Sequence, residues 1–227
     1  MRIAIYTLTR DRLEYTKHCF ASLREKAGMP FDHYVIDNGS TDGTATWLQL
    51  NSEFFKKVVL LPENIGISEG SNRLLDEILK SEYDLIIKMD NDCEVVTENI
   101  LVQLEAVFER LKMDNRQMVL SPRVEGINKQ PRRAFYDHVN GYKIGVTGIV
   151  GGLFHIVPAD IYARYRYPLD LPKAWGQDDD FCEWLRKQGI KKGYIEDLVV
   201  NHYETTVGQA QRFPEYFERK WEEEKNA

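Results

Sequence analysis

Short apolar runs alternate with amphipathic segments through the first half of the chain, and no other feature of the sequence restricts the fold as strongly. Runs of strand length separated by segments of helix length are typical of a largely parallel sheet with crossover helices. The helical spacing is clearest in residues 98–112, whose apolar side chains recur three and four positions apart. We predict strands at 2–8, 33–37, 57–61, 84–89 and 118–121, and helices at 12–26, 44–51, 69–80 and 98–112.

The second half of the chain is less regular. Residues 125–142 are rich in Arg, Asn, Gly and Pro without a clear period, which predicts a long loop. A helix is predicted at 178–188, because Gly189 suits the left-handed backbone that commonly ends a helix. A strand at 193–200 and a charged C-terminal helix from Pro214 onward complete an α/β chain of single-domain length.

Composition and charge limit the kinds of partner. The net charge of −6 gives no general attraction for phosphate backbones, so nucleic acid is not a predicted partner and a nucleotide would need a specific site. The three cysteines are widely spaced and odd in number, which fits neither a disulfide framework nor a zinc site with paired ligands and favours a reducing, cytoplasmic compartment. No stretch approaches the roughly 18 apolar residues of a membrane span, although contact with a membrane surface stays open.

A polar turn follows the second predicted strand. In an open parallel sheet ligands bind beyond the carboxyl ends of the strands, so Asp37 in VIDNGSTDGT could accept hydrogen bonds from a nucleoside. The alternative is a turn that caps the next helix. The first strand ends without a glycine-rich phosphate loop, so phosphates would need another counter-charge, for which a metal ion is the natural candidate.

Two carboxylates stand two residues apart after the fourth predicted strand. Asp90 and Asp92 could face one ligand there, and hard oxygen donors suit Mg²⁺ or Mn²⁺. The alternative is a polar turn between a strand and a helix.

Three consecutive carboxylates begin the predicted helix at 178–188. Acidic side chains at a helix N-terminus are favourable, so a structural role would explain one or two of them. Three adjacent like charges repel and tend to raise the pKa of one member, which favours a catalytic base among Asp178, Asp179 and Asp180.

Taken together, these motifs resemble the GT-A fold nucleotide-sugar glycosyltransferases, specifically the large inverting family 2. The resemblance covers most of the chain and rests on DNGSTDGT, ENIGISEGSN, the triplet at 90–92, WGQDDDF and a lone late histidine. It implies a single Rossmann-like domain, with a largely parallel sheet flanked by helices and a smaller acceptor-side lobe. Residues 1–115 would bind the nucleotide sugar, 116–205 would hold the acceptor and the catalytic base, and 206–227 would form a C-terminal helix.

The resemblance also implies roles for individual residues. Asp92 and His202 would bind Mn²⁺ or Mg²⁺ bridging the donor diphosphate, and Asp178 would be the catalytic base. Gln177 stands where many relatives carry Glu, which leaves Asp178 in register. Donor binding is implied for Thr7, Thr9, Asp37, Asn64, Gly66, Asn72 and Asp90.

The function implied is metal-dependent, inverting transfer of a sugar from a nucleoside diphosphate, with UDP favoured, to a hydroxyl of a glycan, lipid or protein. A positioned carboxylate can take the proton of an acceptor hydroxyl, and a divalent ion can neutralise the leaving diphosphate. Two alternatives stay open. One is a catalytically silent nucleotide-sugar or carbohydrate-binding protein on the same fold, and the other is a sugar nucleotidyltransferase, which would normally show a glycine-rich phosphate loop.

Overall fold

The structure is a computed structural model that describes residues 1–127, 130–173, 175–203 and 206–225. The strands are β1 (Ile3–Thr9), β2 (Asp32–Asn38), β3 (Lys57–Leu61), β4 (Leu85–Met89), β5 (Cys93–Val95), β6 (Met118–Glu125), β7 (Arg133–Val139), β8 (Tyr142–Thr147), β9 (Phe154–Pro158) and β10 (Lys191–His202). The α-helices are α1 (Leu13–Lys26), α2 (Thr44–Leu50), α3 (Gly66–Ile78), α4 (Ile100–Met113), α5 (Ala159–Arg164), α6 (Gln177–Lys187), α7 (Thr206–Arg212) and α8 (Pro214–Lys225). A short 3-10 helix, Ser52–Phe54, follows α2.

One sheet runs through the molecule in the order β3-β2-β1-β4-β9-β6-β10-β8-β7, and β5 pairs with β10. Strands β1 to β4 are mutually parallel, β6 is parallel to β10, and β9 is antiparallel to both β4 and β6. The apolar side chains of β1 and β4 are buried, as expected when helices cover both faces of a parallel sheet. The predicted α/β architecture with a largely parallel central sheet is therefore confirmed.

The predicted strands and helices of the first half are all present, with ends displaced by up to four residues. The largest displacement at a start is in α3, which begins at Gly66 rather than at residue 69. Helix and strand ends carry little periodic signal, so differences of this size are expected. The short strand β5, directly after Asp90-Asn91-Asp92, was not predicted.

The prediction of a long loop at 125–142 is wrong for Arg133–Val139, which form β7. This strand pairs with β8 in an antiparallel hairpin whose turn is Asn140-Gly141, both with positive φ (49° and 85°). Asn-Gly is the preferred dipeptide of two-residue hairpin turns, so the sequence did carry a signal for this hairpin. Residues 128 and 129 of the segment lie outside the described residues.

The C-terminal segment forms two helices: α8 begins at Pro214, as predicted, and α7 is an additional helix before it, so 206–227 is not a single helix. Helix α7 ends at Arg212 and α8 begins with Pro214, a residue that suits a first helical turn and cannot continue a preceding helix. The aromatic ring of Phe213 packs edge-on against Tyr15 of α1 at 5.0 Å between centroids. This contact places the pair α7–α8 over the carboxyl ends of the parallel strands. Residues 226 and 227 lie outside the described part.

None of the helices described is long and apolar enough to cross a membrane.

Candidate active site

A cavity of about 280 Å³ lies at the carboxyl edge of the sheet, under α7–α8. Five of the residues proposed from the sequence line it, although they are separated by up to 193 positions along the chain. They come from the ends of β1 and β10 and from the segments that follow β3 and β4. These residues are Thr9, Asn64, Asp90, Asp92 and His202.

The pairing of β5 with β10 brings Asp92 and His202 together. His202 lies opposite Cys93 in the antiparallel register, and the Tyr203 amide donates to the Asp92 carbonyl at 2.8 Å. As a result, His202 Nε2 is 3.7 Å from Asp92 Oδ2. One carboxylate and one imidazole at this separation fit a divalent ion that completes its coordination with substrate phosphates and water. Among the described residues, no cluster of three His, Cys, Asp or Glu side chains forms an all-protein metal site.

Arg12 contacts the same oxygen of the Asp92 carboxylate that faces His202. Its Nη1 atom donates to Asp92 Oδ2 at 3.0 Å, and its Nη2 atom donates to Asn91 Oδ1 at 2.9 Å. Gln209 of α7 donates to the same Asp92 oxygen at 3.1 Å. Burial opposes ionisation of Asp92, but the positive charge of Arg12 and the hydrogen bonds from Gln209 and Arg12 counter it, so the pKa of this carboxyl is lowered.

A second network joins Asp90 to Asp178. The ammonium of Lys88 donates to Asp90 Oδ1 at 2.6 Å and to the Gly152 carbonyl at 2.8 Å. The Gly152 amide in turn donates to Asp178 Oδ2 at 2.7 Å. Burial and the nearby negative charges of Asp92 and Asp178 raise the pKa of Asp90, while the charge of Lys88 opposes this shift. Asp178 lies beside the cavity, behind Lys88 and Gly152, and is not part of its lining.

Asp37 lies at the end of β2 and is fully buried. Its carboxylate accepts hydrogen bonds from the Thr9 hydroxyl at 2.9 Å, the Ser40 hydroxyl at 2.5 Å and the Ser40 amide at 2.9 Å. These hydrogen bonds agree with the alternative stated above, in which Asp37 belongs to a turn before the next helix. Thr7 is also fully buried, and its hydroxyl lies 3.1 Å from His33 Nε2, beneath the cavity.

The three proposed residues around α3 differ in position. Asn64 lines the cavity, and its side-chain oxygen accepts the Gly66 amide at 3.0 Å. Gly66 has φ of +87°, a conformation that favours glycine, and lies against Lys173. Asn72 forms two hydrogen bonds with the backbone of Tyr167, at 2.8 and 3.0 Å, and does not line the cavity.

Five cationic side chains that the sequence analysis did not select also line the cavity, so positive charge is concentrated there in an acidic protein. Two of them belong to the TRDR segment after β1, where two arginines close to the strand end gave a visible signal. Another is the single charge in the apolar run of β4. The last two are Lys173, in the loop before α6, and Lys220, in α8. Nothing in the local sequence around either lysine predicts a position in the cavity. These cations are Arg10, Arg12, Lys88, Lys173 and Lys220.

Comparison with known protein families matches residues 4–156 to the family described as "Glycosyl transferase family 2". No curated protein sequence matches the chain.

Solved structures with the same fold are numerous, and three illustrate the range. A mannosyltransferase from Pyrobaculum calidifontis in complex with GDP-Man and Mn²⁺ has a TM-score of 0.65 and 15% identity over 88% of this chain. Staphylococcus aureus TarS 1-349 in complex with UDP-GlcNAc has a TM-score of 0.67 and 16% identity over 91% of this chain. GalNAc-T7 with UDP, GalNAc and Mn²⁺ has a TM-score of 0.68 and 12% identity over 91%.

The chain spans 56%, 59% and 44% of the length of these three structures, respectively. At such low identity the likeness establishes the fold alone, and it confirms the GT-A architecture.

Proposed function

The chain belongs to glycosyl transferase family 2, and we propose that it transfers a sugar from a nucleoside diphosphate donor to an acceptor hydroxyl with inversion at the anomeric carbon. The observation that carries this proposal is the meeting of Asp90, Asp92 and His202 in one cavity beyond the carboxyl ends of the strands. This edge is where open α/β sheets bind their ligands. The cations of the cavity add support, because they suit a ligand that carries a diphosphate.

We propose that Asp92 and His202 hold a divalent ion. Two of the compared structures contain Mn²⁺, and a mixed carboxylate and imidazole pair suits Mn²⁺ better than Mg²⁺. When bound, the ion would neutralise charge on the leaving diphosphate. Lys173 and Lys220, which line the same cavity, would share this task as hydrogen-bond donors.

Asp178 is proposed as the catalytic base. Its Oδ2 atom is engaged by the Gly152 amide, and in the described part of the chain Oδ1 receives no further hydrogen bond, so it could accept the acceptor's proton. The acceptor oxygen would then form a bond to the anomeric carbon as the bond to the diphosphate oxygen breaks. One displacement on the face opposite the leaving group inverts the configuration.

The donor subsite is proposed to lie along residues 1–115, and the acceptor subsite within 116–205. Thr9 and Asn64 support the first assignment because they line the cavity. Four of the proposed donor residues would shape the turns that border the nucleoside. They are the buried Thr7 and Asp37, together with Gly66 and Asn72. UDP is the proposed nucleotide, since two of the compared structures carry it, while GDP is the alternative named by the third. A glycan, lipid or protein would supply the hydroxyl, in the cytoplasm or at its membrane face.

The proposal is tested by thermal shift with UDP, GDP, dTDP and CDP and their common sugar conjugates, each with Mn²⁺ and with chelator. Saturation at about 100 times Kd adds about 2.7 kcal/mol to the free energy of unfolding, which raises the melting temperature by several degrees. We expect a metal-dependent shift with one nucleotide. No shift with any of them would refute donor binding. A shift without release of nucleoside diphosphate from any sugar conjugate would favour the silent binding protein instead.

A further inference from the structure

Lys88 is a buried cation in a strand that is otherwise apolar. Strand β4 has the sequence LIIKM, all five residues are buried, and Lys88 exposes only 5% of its surface. Burying an ammonium group is costly unless it is paired and hydrogen-bonded, and Leu or Met would fill the same place without that cost. Packing therefore does not explain the lysine.

The hydrogen bonds of Lys88 link two carboxylates of the candidate site. Lys88 Nζ donates one hydrogen bond to Asp90 Oδ1 at 2.6 Å and another to the Gly152 carbonyl at 2.8 Å. Because the Gly152 amide donates to Asp178 Oδ2 at 2.7 Å, this one glycine connects the ammonium to the proposed base. The negative charges of Asp90 and Asp178 outweigh desolvation and raise the pKa of Lys88, so the group stays charged.

The space around Gly152 is filled by the same groups. A Cβ atom at this position would overlap Asp178 Oδ1 and would lie 2.8 Å from both Asp178 Oδ2 and Lys88 Nζ. Glycine is therefore required by close approach. Gly152 therefore contacts both the Lys88 ammonium and the carboxylate of Asp178.

Residues 150–152 form a segment that we call the base-supporting loop. Apart from the Asp178 carboxylate, its other anchors are neutral: the Gly151 amide donates to the Tyr194 hydroxyl at 2.9 Å, His155 Nε2 lies 3.0 Å from the Val150 carbonyl, and the Cys182 thiol contacts the Val150 backbone. Lys88 contributes a charge-assisted hydrogen bond, which is stronger than the neutral ones.

We propose that Lys88 is a positioning residue that holds the base-supporting loop, and through Gly152 the carboxylate of Asp178, in register with Asp90. The role rests on the proposed function, because it gives Asp178 a fixed direction for taking a proton. The role goes beyond that function because it assigns to Lys88 the relative position of Asp90, on the donor side, and Asp178, the proposed base.

The chain offers a matched control. Lys192 of β10 exposes the same 5% of its surface and donates to a backbone carbonyl, that of Cys182, at 3.0 Å. It makes no hydrogen bond to Asp90 or to the base-supporting loop in the described part of the chain. Lys88→Met and Lys192→Met each remove one buried ammonium and keep a side chain of similar length, so a purely structural role predicts similar effects.

The first measurement is hydrogen–deuterium exchange of the full chain, followed at the amides of Gly151 and Gly152. Lys88→Met should speed exchange at these amides by about tenfold or more, because the loop opens more easily, whereas Lys192→Met should leave it within about twofold. Unchanged exchange in Lys88→Met overturns the proposal. If this variant fails to fold, Lys88→Gln, which retains a hydrogen-bond donor without the charge, takes its place.

The second measurement is the steady-state release of UDP from UDP-glucose and from UDP-N-acetylglucosamine, with Mn²⁺ and water as acceptor. Lys88→Met should lower kcat by about 100-fold with KM within about fivefold, since a misplaced group of this kind costs that order of rate. Equal kcat in the two methionine variants overturns the proposal. If wild-type protein neither binds nor turns over any nucleotide sugar, the proposed function fails, and the exchange data alone decide whether Lys88 holds the loop.

Discussion

Arg12 Nη1 lies 3.0 Å from Asp92 Oδ2, so the carboxylate that we assign to the metal already has a cationic partner. Arg12 has φ of 59° and the preceding Asp11 has φ of 52°, an uncommon conformation for two consecutive residues that are not glycine. Two hydrogen bonds to the Asp11 carboxylate stabilise this two-residue segment. They come from the Thr41 amide at 2.7 Å and from Arg219 at 2.5 Å. Arg12 and a divalent ion would therefore share one carboxylate.

Replacing Arg12 should strengthen metal binding. In Arg12→Met the competing positive charge is gone, and we expect Mn²⁺ in the absence of nucleotide to bind about tenfold more tightly, or about 1.4 kcal/mol. Isothermal titration calorimetry measures the change. Arg219→Met is the control, because it removes a nearby cation that contacts Asp11 rather than Asp92. Weaker Mn²⁺ binding in Arg12→Met would show that the arginine orients Asp92 for the metal instead of competing with it.

Asp92→Asn should abolish the effect of metal on donor binding. The amide keeps the shape of the carboxylate but loses the charge that attracts a divalent ion. We expect the thermal shift produced by UDP with Mn²⁺ to fall to the value measured with chelator. The same metal-dependent shift in Asp92→Asn and wild type would remove Asp92 from the metal site.

Asp178→Asn should separate binding from transfer. The variant keeps a group that can accept the Gly152 amide but cannot take a proton, so UDP binding should persist while kcat falls by about 10²- to 10⁴-fold. Asp179→Asn, at an exposed neighbouring position, should retain kcat within about twofold. Loss of activity in both variants to the same extent would point to the helix start as a whole rather than to a base.

Gly152→Ala should damage catalysis although it adds only one methyl group. That group would overlap Asp178 Oδ1, and moving the carboxylate should cost about 100-fold in kcat. Gly148→Ala is the matched control, because a Cβ at Gly148 meets no atom within 4 Å. Normal kcat in Gly152→Ala would mean that Asp178 can act from a displaced position.

His33 should make the protein less stable in mild acid. Burial among aromatic rings, with a smaller effect from the charge of Arg24, lowers the pKa of His33 to about 3. The unfolded chain, with a pKa near 6.5, then binds the proton first as the pH falls, so stability is present above about pH 6.5 and is lost between that value and about pH 3. The slope should approach about 1.4 kcal/mol per pH unit.

Urea unfolding at pH 7.5, 6 and 5 measures this dependence. His33→Leu should flatten it, whereas His138→Gln, at an exposed position, should not. An identical pH dependence in wild type and His33→Leu would show that His33 is not the group responsible.

Local sequence was sufficient for the first half of the fold. The strands β1 to β4 and the helices between them follow from apolar spacing, because each buries a continuous run or stripe within one element. The hairpin β7–β8 was missed because β7 is largely exposed at the edge of the sheet and has no apolar run to mark it. Its Asn140-Gly141 turn was the available signal, and it was included in a stretch interpreted by composition alone.

The acidic residues and His202 of the candidate site were predicted from the sequence, whereas its arginines and lysines were not. Asp90 and Asp92 follow a predicted strand, so their position at the carboxyl edge was expected. Lys88 stood out as a charge in an apolar run, yet its partner Gly152 is 64 residues away, and Arg12 is 80 residues from Asp92. Lys220 reaches the cavity because α8 packs over it, a consequence of helix docking that local spacing does not encode.

The sequence by itself determined the architecture, the family and the acidic side chains available at the strand ends, because hydrophobic periodicity and motif spacing are properties of neighbouring residues. The tertiary structure alone decided which charges meet. It placed Arg12 on Asp92 and joined Lys88 to Asp178 through Gly152, because the sheet order and the packing of α7–α8 bring distant segments within hydrogen-bond distance. Electrostatic pairing depends on separation in space, and separation in space is fixed only when the chain has folded.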